Sequence, residues 1–303
     1  MTHMLIALTP ITLAGVYLYG LHVLAMLAVA TAICVGGEYL FLRPYREPVT
    51  TSILVTSVLY VLSLPPGLPL WMTGVGAAFA VVFGKMVFGG FGKNIYNPAL
   101  AGRAFIYISF GREMTALWRE PFAGLPGGFA AWVPDAITSA TPGMEMKAGA
   151  DIALAPLFLG NTSGVIGGTA AWLVLLGGAY ILWNKTANYR LVLSCGIGFV
   201  LVQTLIWLGV DGGIDPLRGM LGGAFLIGAF FYATEPVSAC KTNPGRWIYG
   251  FLIGALSALI ATLSNWPAGT MFAILLANTF APIIDYTVQA RQKRKASARK
   301  GPA

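Results

Sequence analysis

The chain has 303 residues, of which 57% are hydrophobic and only 10% charged. A soluble domain carries about 25% charged residues, so this chain cannot cover a water-facing surface and reads as a membrane body. The net charge of +8 is weighted toward one terminal run, Arg291, Lys293, Arg294, Lys295, Arg299 and Lys300, which suits a cytoplasmic anchor on anionic lipid and argues against nucleic-acid binding, since no folded basic surface accompanies it.

The N-terminus lacks the basic start and small-residue cleavage site of a removed leader, so the first apolar stretch is expected to stay as a helix. Apolar segments approaching bilayer length predict an all-α polytopic membrane protein of about ten transmembrane helices. They fall at 4–20, 21–42, 51–66, 68–89, 97–110, 164–183, 189–210, 219–233, 247–263 and 268–287. The first two form one apolar run, divided near Tyr19–Gly20–Leu21 because a single helix of that length would overshoot a bilayer. With the tail inside and the segments alternating, the inside holds Arg43, Arg46, Lys85, Lys93, Lys185, Arg190, Lys241, Arg246 and the tail. That is fourteen basic residues against four outside, Arg112, Arg119, Lys147 and Arg218. The bias predicts cytoplasmic termini.

Residues 111–163 then form one long external loop that also carries acids, Glu113, Glu120, Asp135, Glu145 and Asp151. It is too apolar for a disordered linker and is expected to fold against the membrane face. The whole reads as a single integral membrane domain, 1–303: a helical half 1–110, the loop 111–163, a helical half 164–287 and a basic tail 288–303. Five helices on each side of the loop would run in opposite senses, the arithmetic of an inverted repeat. Pro65–Pro66–Gly67 before Trp71 mirrors Asn243–Pro244–Gly245 before Trp247. The cysteines, Cys34, Cys195 and Cys240, share no CxxC spacing, so neither a disulfide framework nor a zinc site is expected.

Two motifs carry candidate chemistry. The external one is Asp135–Ala136–Ile137–Thr138–Ser139–Ala140–Thr141–Pro142. Pro142 pushes Thr141 to an extended conformation, and small neighbours leave room beside its hydroxyl; the residues alone also allow a plain Ser/Thr-rich turn. The internal motif runs Phe88–Gly89–Gly90–Phe91–Gly92–Lys93–Asn94–Ile95–Tyr96–Asn97–Pro98–Ala99–Leu100. Asn97 followed by Pro98 is a helix start. The glycine-rich approach is either a capped turn or a re-entrant loop offering free amides at membrane depth. Arg103 follows in an apolar helix, where a charge needs a structural partner or a ligand. Glu38, Glu235 and Asp285 lie in or beside apolar runs; each reads as an ion-pathway acid or as a carboxylate capping a helix or pairing with a base.

Both motifs resemble those of the family that includes the B-subunit of the Na⁺-translocating NADH:quinone reductase and the D-subunit of the Rnf complex. The external motif is similar to that family's Ser/Thr-Gly-Ala-Thr flavinylation run. The internal one is similar to its Gly-Gly-x-Gly-Lys-Asn-x-x-Asn-Pro-Ala-x-x-Gly-Arg-Ala-Phe run, here through Phe105. Glu235–Pro236–Val237–Ser238–Ala239 and Ala281–Pro282–Ile283–Ile284–Asp285–Tyr286 match further family features. The resemblance implies FMN esterified through its phosphate to Thr141, with Asp135, Thr138 and Ser139 beside it. It implies a non-covalent riboflavin near Asn94 and Asn97 on the cytoplasmic side, with Arg103 a flavin contact or a structural cation. It further implies electron transfer between the two flavins in a bacterial inner membrane, coupled to Na⁺ or H⁺ translocation. The partners would be the other subunits of a six-subunit complex, one carrying a second FMN. Three departures stand out. Ser139 replaces the family's Gly; Gly167–Gly168–Thr169 replaces Gly-Glu-x-Ser; and the quinone reductase's longer N-terminal extension is missing, which favours an Rnf-like role. The nicotinamide or ferredoxin site is expected on another subunit, because no GxGxxG fingerprint follows a strand here. A ten-helix secondary transporter with a broken-helix site explains the hydropathy but not the external Thr-rich run, and a scaffold that has lost its cofactor would explain the departures.

Overall fold

The computed structural model describes residues 1–133, 140–210, 213–264 and 269–299, with side chains to residue 295. Among these residues the chain is all helical. The first half contains α1 (Thr2–Tyr19), α2 (His22–Leu42), α3 (Ser52–Leu62), α4 (Leu70–Val81) and α5 (Pro98–Ser109). The segment between the halves adds short helices α6 (Gly111–Ala116), α7 (Pro142–Lys147) and α8 (Leu154–Leu159). The second half contains α9 (Ala171–Trp183), α10 (Tyr189–Gly209), α11 (Pro216–Leu221), α12 (Phe225–Ile227), α13 (Asn243–Leu263) and α14 (Gly269–Arg299). Helices α4 and α12 each run on into a π-helical turn, Val82–Met86 and Gly228–Tyr232.

All ten apolar segments contain helix, but among the described residues only five helices are long and apolar enough to cross a bilayer unaided: Thr2–Tyr19, His22–Tyr45, Tyr189–Gly209, Asn243–Leu263 and Gly269–Lys295. The others are cut short by their own residues. Helix α3 spans 11 residues, roughly 16 Å at 1.5 Å per residue, and stops before Pro65–Pro66. Helix α5 spans 12 and starts at Pro98, with Asn97 as its cap. A helix end at membrane depth must find partners in protein. Those of α3 come from the stretch entering α9: Gly167 N–H donates to Leu62 O (2.8 Å) and Ile166 N–H to Leu64 O (3.1 Å).

Packing links the elements into one body. Helix α1 lies along α9, α2 against α3 and α4, α4 along α5, α10 along α13, and α13 along α14. Buried tyrosines tie the layers together. Tyr60 donates to Thr73 O (3.1 Å), Tyr232 donates to Leu59 O (2.6 Å), and Asn278 Nδ2 donates to Tyr249 Oη (2.6 Å).

The connections collect at two ends. Phe122 N–H donates to Leu18 O, and Leu21 and His22 donate to Ala131 O and Trp132 O, all within 2.9 Å. The segment after α5 therefore folds onto the α1–α2 junction. Met1, at the start of α1, shares a small void with Lys85, Asn94 and Glu235. The 18 residues of α1 separate these ends by roughly 27 Å.

Helices α10 and α13 cross closely. Gly250 and Gly254 form a small-xxx-small pair of the kind that lets membrane helices approach. A methyl group on Gly254 would overlap the Cys195 carbonyl, whereas one on Gly196, also on α10, would meet nothing within 4 Å. Gly254→Ala is therefore expected to destabilise the protein by about 1–3 kcal/mol through overpacking, and Gly196→Ala to leave it unchanged or slightly stabilised. Thermal unfolding in detergent, followed by dye reaction with the buried free thiols Cys34, Cys195 and Cys240, reads both.

Candidate functional site

Thr141 caps α7 with φ −74° and ψ 152°, the extended conformation that a following proline imposes. Its carbonyl accepts from Met144 N–H (2.8 Å) and Glu145 N–H (3.0 Å), while its side chain makes no capping bond. The Ser163 hydroxyl donates to Ala140 O and anchors the approach to Thr141. Asp135, Thr138 and Ser139, singled out from the sequence, lie outside the described residues.

Thr141 opens on a cavity of about 290 Å³ whose lining includes Arg103 and Tyr107 of α5, Trp118, and Phe199 and Gln203 of α10. That volume is at the lower bound for small-molecule sites. One wall is fixed by the Phe199–Phe225 stack, with ring centroids 4.1 Å apart. Gln203 is committed to that wall: its Nε2 donates to Ile214 O (2.9 Å) and its Oε1 accepts from Thr262 (3.0 Å). Two buried donors are not committed. Arg103 and Trp118 are 5% and 4% exposed, and Arg103 Nε and Trp118 Nε1 have no hydrogen-bond partner. Lys147, at the rim, donates to Ser264 O (2.6 Å), and its partial desolvation lowers its pKa from the ordinary lysine value. Next to Gly168, Thr169 bonds the Tyr19 hydroxyl (2.7 Å) and donates to Val165 O (2.8 Å).

The structure brings Thr141 and Arg103 to one cavity and places Asn94 and Asn97 elsewhere, beside Lys85 and Glu235 around the void of about 50 Å³ at the N-terminal end. Asn97 is fully engaged. Its Oδ1 caps Leu100 N–H (3.3 Å), its Nδ2 donates to Tyr232 O (3.2 Å), and its N–H donates to Asn278 Oδ1 (3.1 Å). Asn94 Nδ2 donates to Tyr96 O (3.1 Å).

The three acids have local partners. Asp285 accepts from the N–H groups of Lys241 (2.7 Å) and Thr242 (3.0 Å) and from the Thr242 hydroxyl, fixing the turn that opens α13. Glu235 accepts from Ser238 N–H (2.7 Å) and from its hydroxyl. Glu38 forms an ion pair with Lys85 at 2.9 Å, the two side chains 1% and 2% exposed. Lys85 also donates to Thr50 Oγ1 and Ser52 Oγ (both 2.9 Å), and the other Glu38 oxygen accepts from Thr50 Oγ1 (2.7 Å) and N–H (3.3 Å). Every ammonium proton of Lys85 thus has an acceptor. Sequence reading missed this pairing, although a lone base in the 68–89 run and a lone acid in the 21–42 run were a signal. It also missed Trp118, which nothing in the local pattern connects to Thr141.

Among known proteins, the family model described as the NQR2, RnfD, RnfE family matches residues 1–294. The chain is 38% identical over 283 residues to the B-subunit of the Na(+)-translocating NADH-quinone reductase of Stutzerimonas stutzeri strain A1501, covering 88% of this chain and 67% of that protein. It is 39% identical over 280 residues to the protein of the same name from Ectopseudomonas mendocina strain ymp, with the same two coverages. It is 36% identical over 313 residues to that of Klebsiella pneumoniae strain 342, covering 96% of this chain and 71% of that protein.

Breaking a desolvated ion pair leaves an uncompensated charge, whereas removing both charges does not. Lys85→Met alone is expected to cost about 3–5 kcal/mol. The double variant Glu38→Gln/Lys85→Met is expected to recover most of that loss, read by the same thermal unfolding in detergent.

Proposed function

The chain belongs to the NQR2, RnfD, RnfE family, and on that premise we propose that it is the flavin-carrying membrane subunit of an ion-translocating electron transport complex of the Na⁺-translocating quinone reductase or Rnf type. Its partners on this reading are the other subunits of that complex, including one with a second FMN. The observation that carries the reading is a threonine hydroxyl, free of capping duty, beside a cavity with two buried donors that lack partners. Those donors fit the carbonyl-rich edge of a flavin, and the aromatic and apolar walls fit its rings. Thr141 would hold FMN through a phosphoester, leaving the ring system, which supplies the electron-carrying chemistry, free of the attachment. Phe199 and Tyr107 would exclude water, and Arg103 and Trp118 would orient the polar edge. A non-covalent riboflavin beside Asn94 rests on the family resemblance alone, since the void there is only about 50 Å³, well below the size of a small-molecule site.

The same premise supports an inverted repeat. The packing of α2 on α4 and α4 on α5 recurs as α10 on α13 and α13 on α14. It supports an orientation too: the end holding Met1, Lys85 and Asn94 is cytoplasmic, because the basic residues gather in its connections. The acids Glu38, Glu235 and Asp285 remain candidates for the cation path by virtue of their position in or beside apolar segments.

Purified protein from a host with the flavin-transfer enzyme is expected to give a fluorescent band on a denaturing gel that Thr141→Ala abolishes; a dark wild-type band overturns covalent attachment. Uptake of a solute by the isolated subunit in liposomes would instead favour a transporter. In intact cells, a membrane-impermeant maleimide is expected to label Ala148→Cys, and to label Lys93→Cys only after permeabilisation.

A further inference from the structure

Among the described residues Arg103 is a charge with no ion-pair partner. It lies on α5, six positions before the helix's last residue, Ser109, roughly 9 Å below that end. Among the described residues no carboxylate pairs with it; the ion pairs there are Glu38 with Lys85 and Asp151 with Arg218. The Tyr107 and Tyr232 phenols line the cavities that it borders. A buried guanidinium in apolar surroundings is costly unless something anionic meets it.

Position decides what that anion is. Arg103 lines the cavity at Thr141 and also the narrow void behind it, with Ser63, Tyr232 and Thr270. It therefore marks the inner end of the cavity, whereas Thr141, and any phosphate esterified to it, stays at α7. A flavin held at Thr141 by its phosphate would have its ring system in the cavity that Arg103 lines. We propose that Arg103, assisted by the Trp118 N–H, is the positioning residue for that ring system, and that it favours the reduced flavin by meeting the negative charge the ring gains on reduction. This rests on the reading of Thr141 as the attachment point.

The test uses the full chain, isolated with its flavin. In-gel fluorescence reports attachment, and a spectroelectrochemical titration of the Thr141-bound flavin reports its potential. Arg103→Met is expected to keep the fluorescent band and to move the potential negative by at least about 30 mV, a tenfold loss of preference for the reduced form in a two-electron couple. Arg103→Lys, which keeps the charge, is expected to move it less. Trp118→Phe, which keeps the ring but not the donor, is expected to give a smaller negative shift and stands in if Arg103→Met does not fold. In a Thr141→Ala background, Arg103→Met is expected to leave thermal unfolding unchanged or raised, because an uncompensated charge has been removed. An attached flavin with an unshifted potential in Arg103→Met overturns this assignment alone and leaves the phosphate as the partner. Destabilisation of the Thr141→Ala protein by Arg103→Met overturns it as well, by revealing a counter-charge within the protein. A wild-type band without flavin overturns the attachment reading and the assignment together.

Discussion

Backbone polar groups at membrane depth have no water to turn to, and this chain interrupts its helices there. Helix α3 ends at Leu62, and the π turn after α12 closes at Tyr232. Each break is satisfied by protein. The carbonyls of Leu62 and Leu64 accept from Gly167 and Ile166, the Tyr232 hydroxyl reaches Leu59 O, and Asn97 Nδ2 takes the Tyr232 carbonyl. The two broken elements and the start of α5 thus form one hydrogen-bonded centre. The cavity beside Thr141 exists because these helices stop short: where α12 does not continue outward, Ala224 and Phe225 become part of its lining.

Charge is treated in two opposite ways within this apolar body. Glu38 and Lys85 are as buried as Arg103, yet their oxygens and protons are matched by each other, Thr50 and Ser52. Such a network holds the α2–α3 connection to the end of α4 and has no capacity left for a ligand without first being opened. Arg103 has the reverse character, with burial but an unmatched Nε. Energetically the first arrangement is self-contained and the second is incomplete. The same contrast separates Asn97, all of whose amide groups are spent on structure, from Trp118, whose donor is unspent.

These differences set what the sequence could reveal. Hydropathy located the five helices that, among the described residues, are long and apolar enough to cross a bilayer, because burial in lipid is a property of composition. It overestimated the length of several, since an apolar run does not show where the chain breaks: 51–66 yielded only Ser52–Leu62, and 219–233 divides between the end of α11 and Phe225–Tyr232 with its π turn. Local chemistry was legible where the partner is near in sequence. Asn97–Pro98 opens a helix, and Pro142 sets Thr141 extended. Pairings across the fold were not legible. Nothing in the spacing joins Glu38 to Lys85, or Thr141 to Arg103 and Trp118, because three separate chain segments converge there. The internal motif read as one unit divides in space, with Asn94 at one void and Arg103 at the other cavity.

That division gives α5 a particular place. It starts at Asn97, in the neighbourhood of Asn94 and Lys85, and turns Arg103 toward the cavity that Thr141 borders. Its 12 residues rise roughly 18 Å, well short of a bilayer. The two cavities are therefore linked by one short helix rather than by a full membrane crossing. Gly102 brings that helix close to α4, since a methyl group there would meet Gly76 O at 2.5 Å. A rigid, closely packed α5 fixes the depth of Arg103 relative to Asn97, so a change that shifts its start would be felt at both cavities at once.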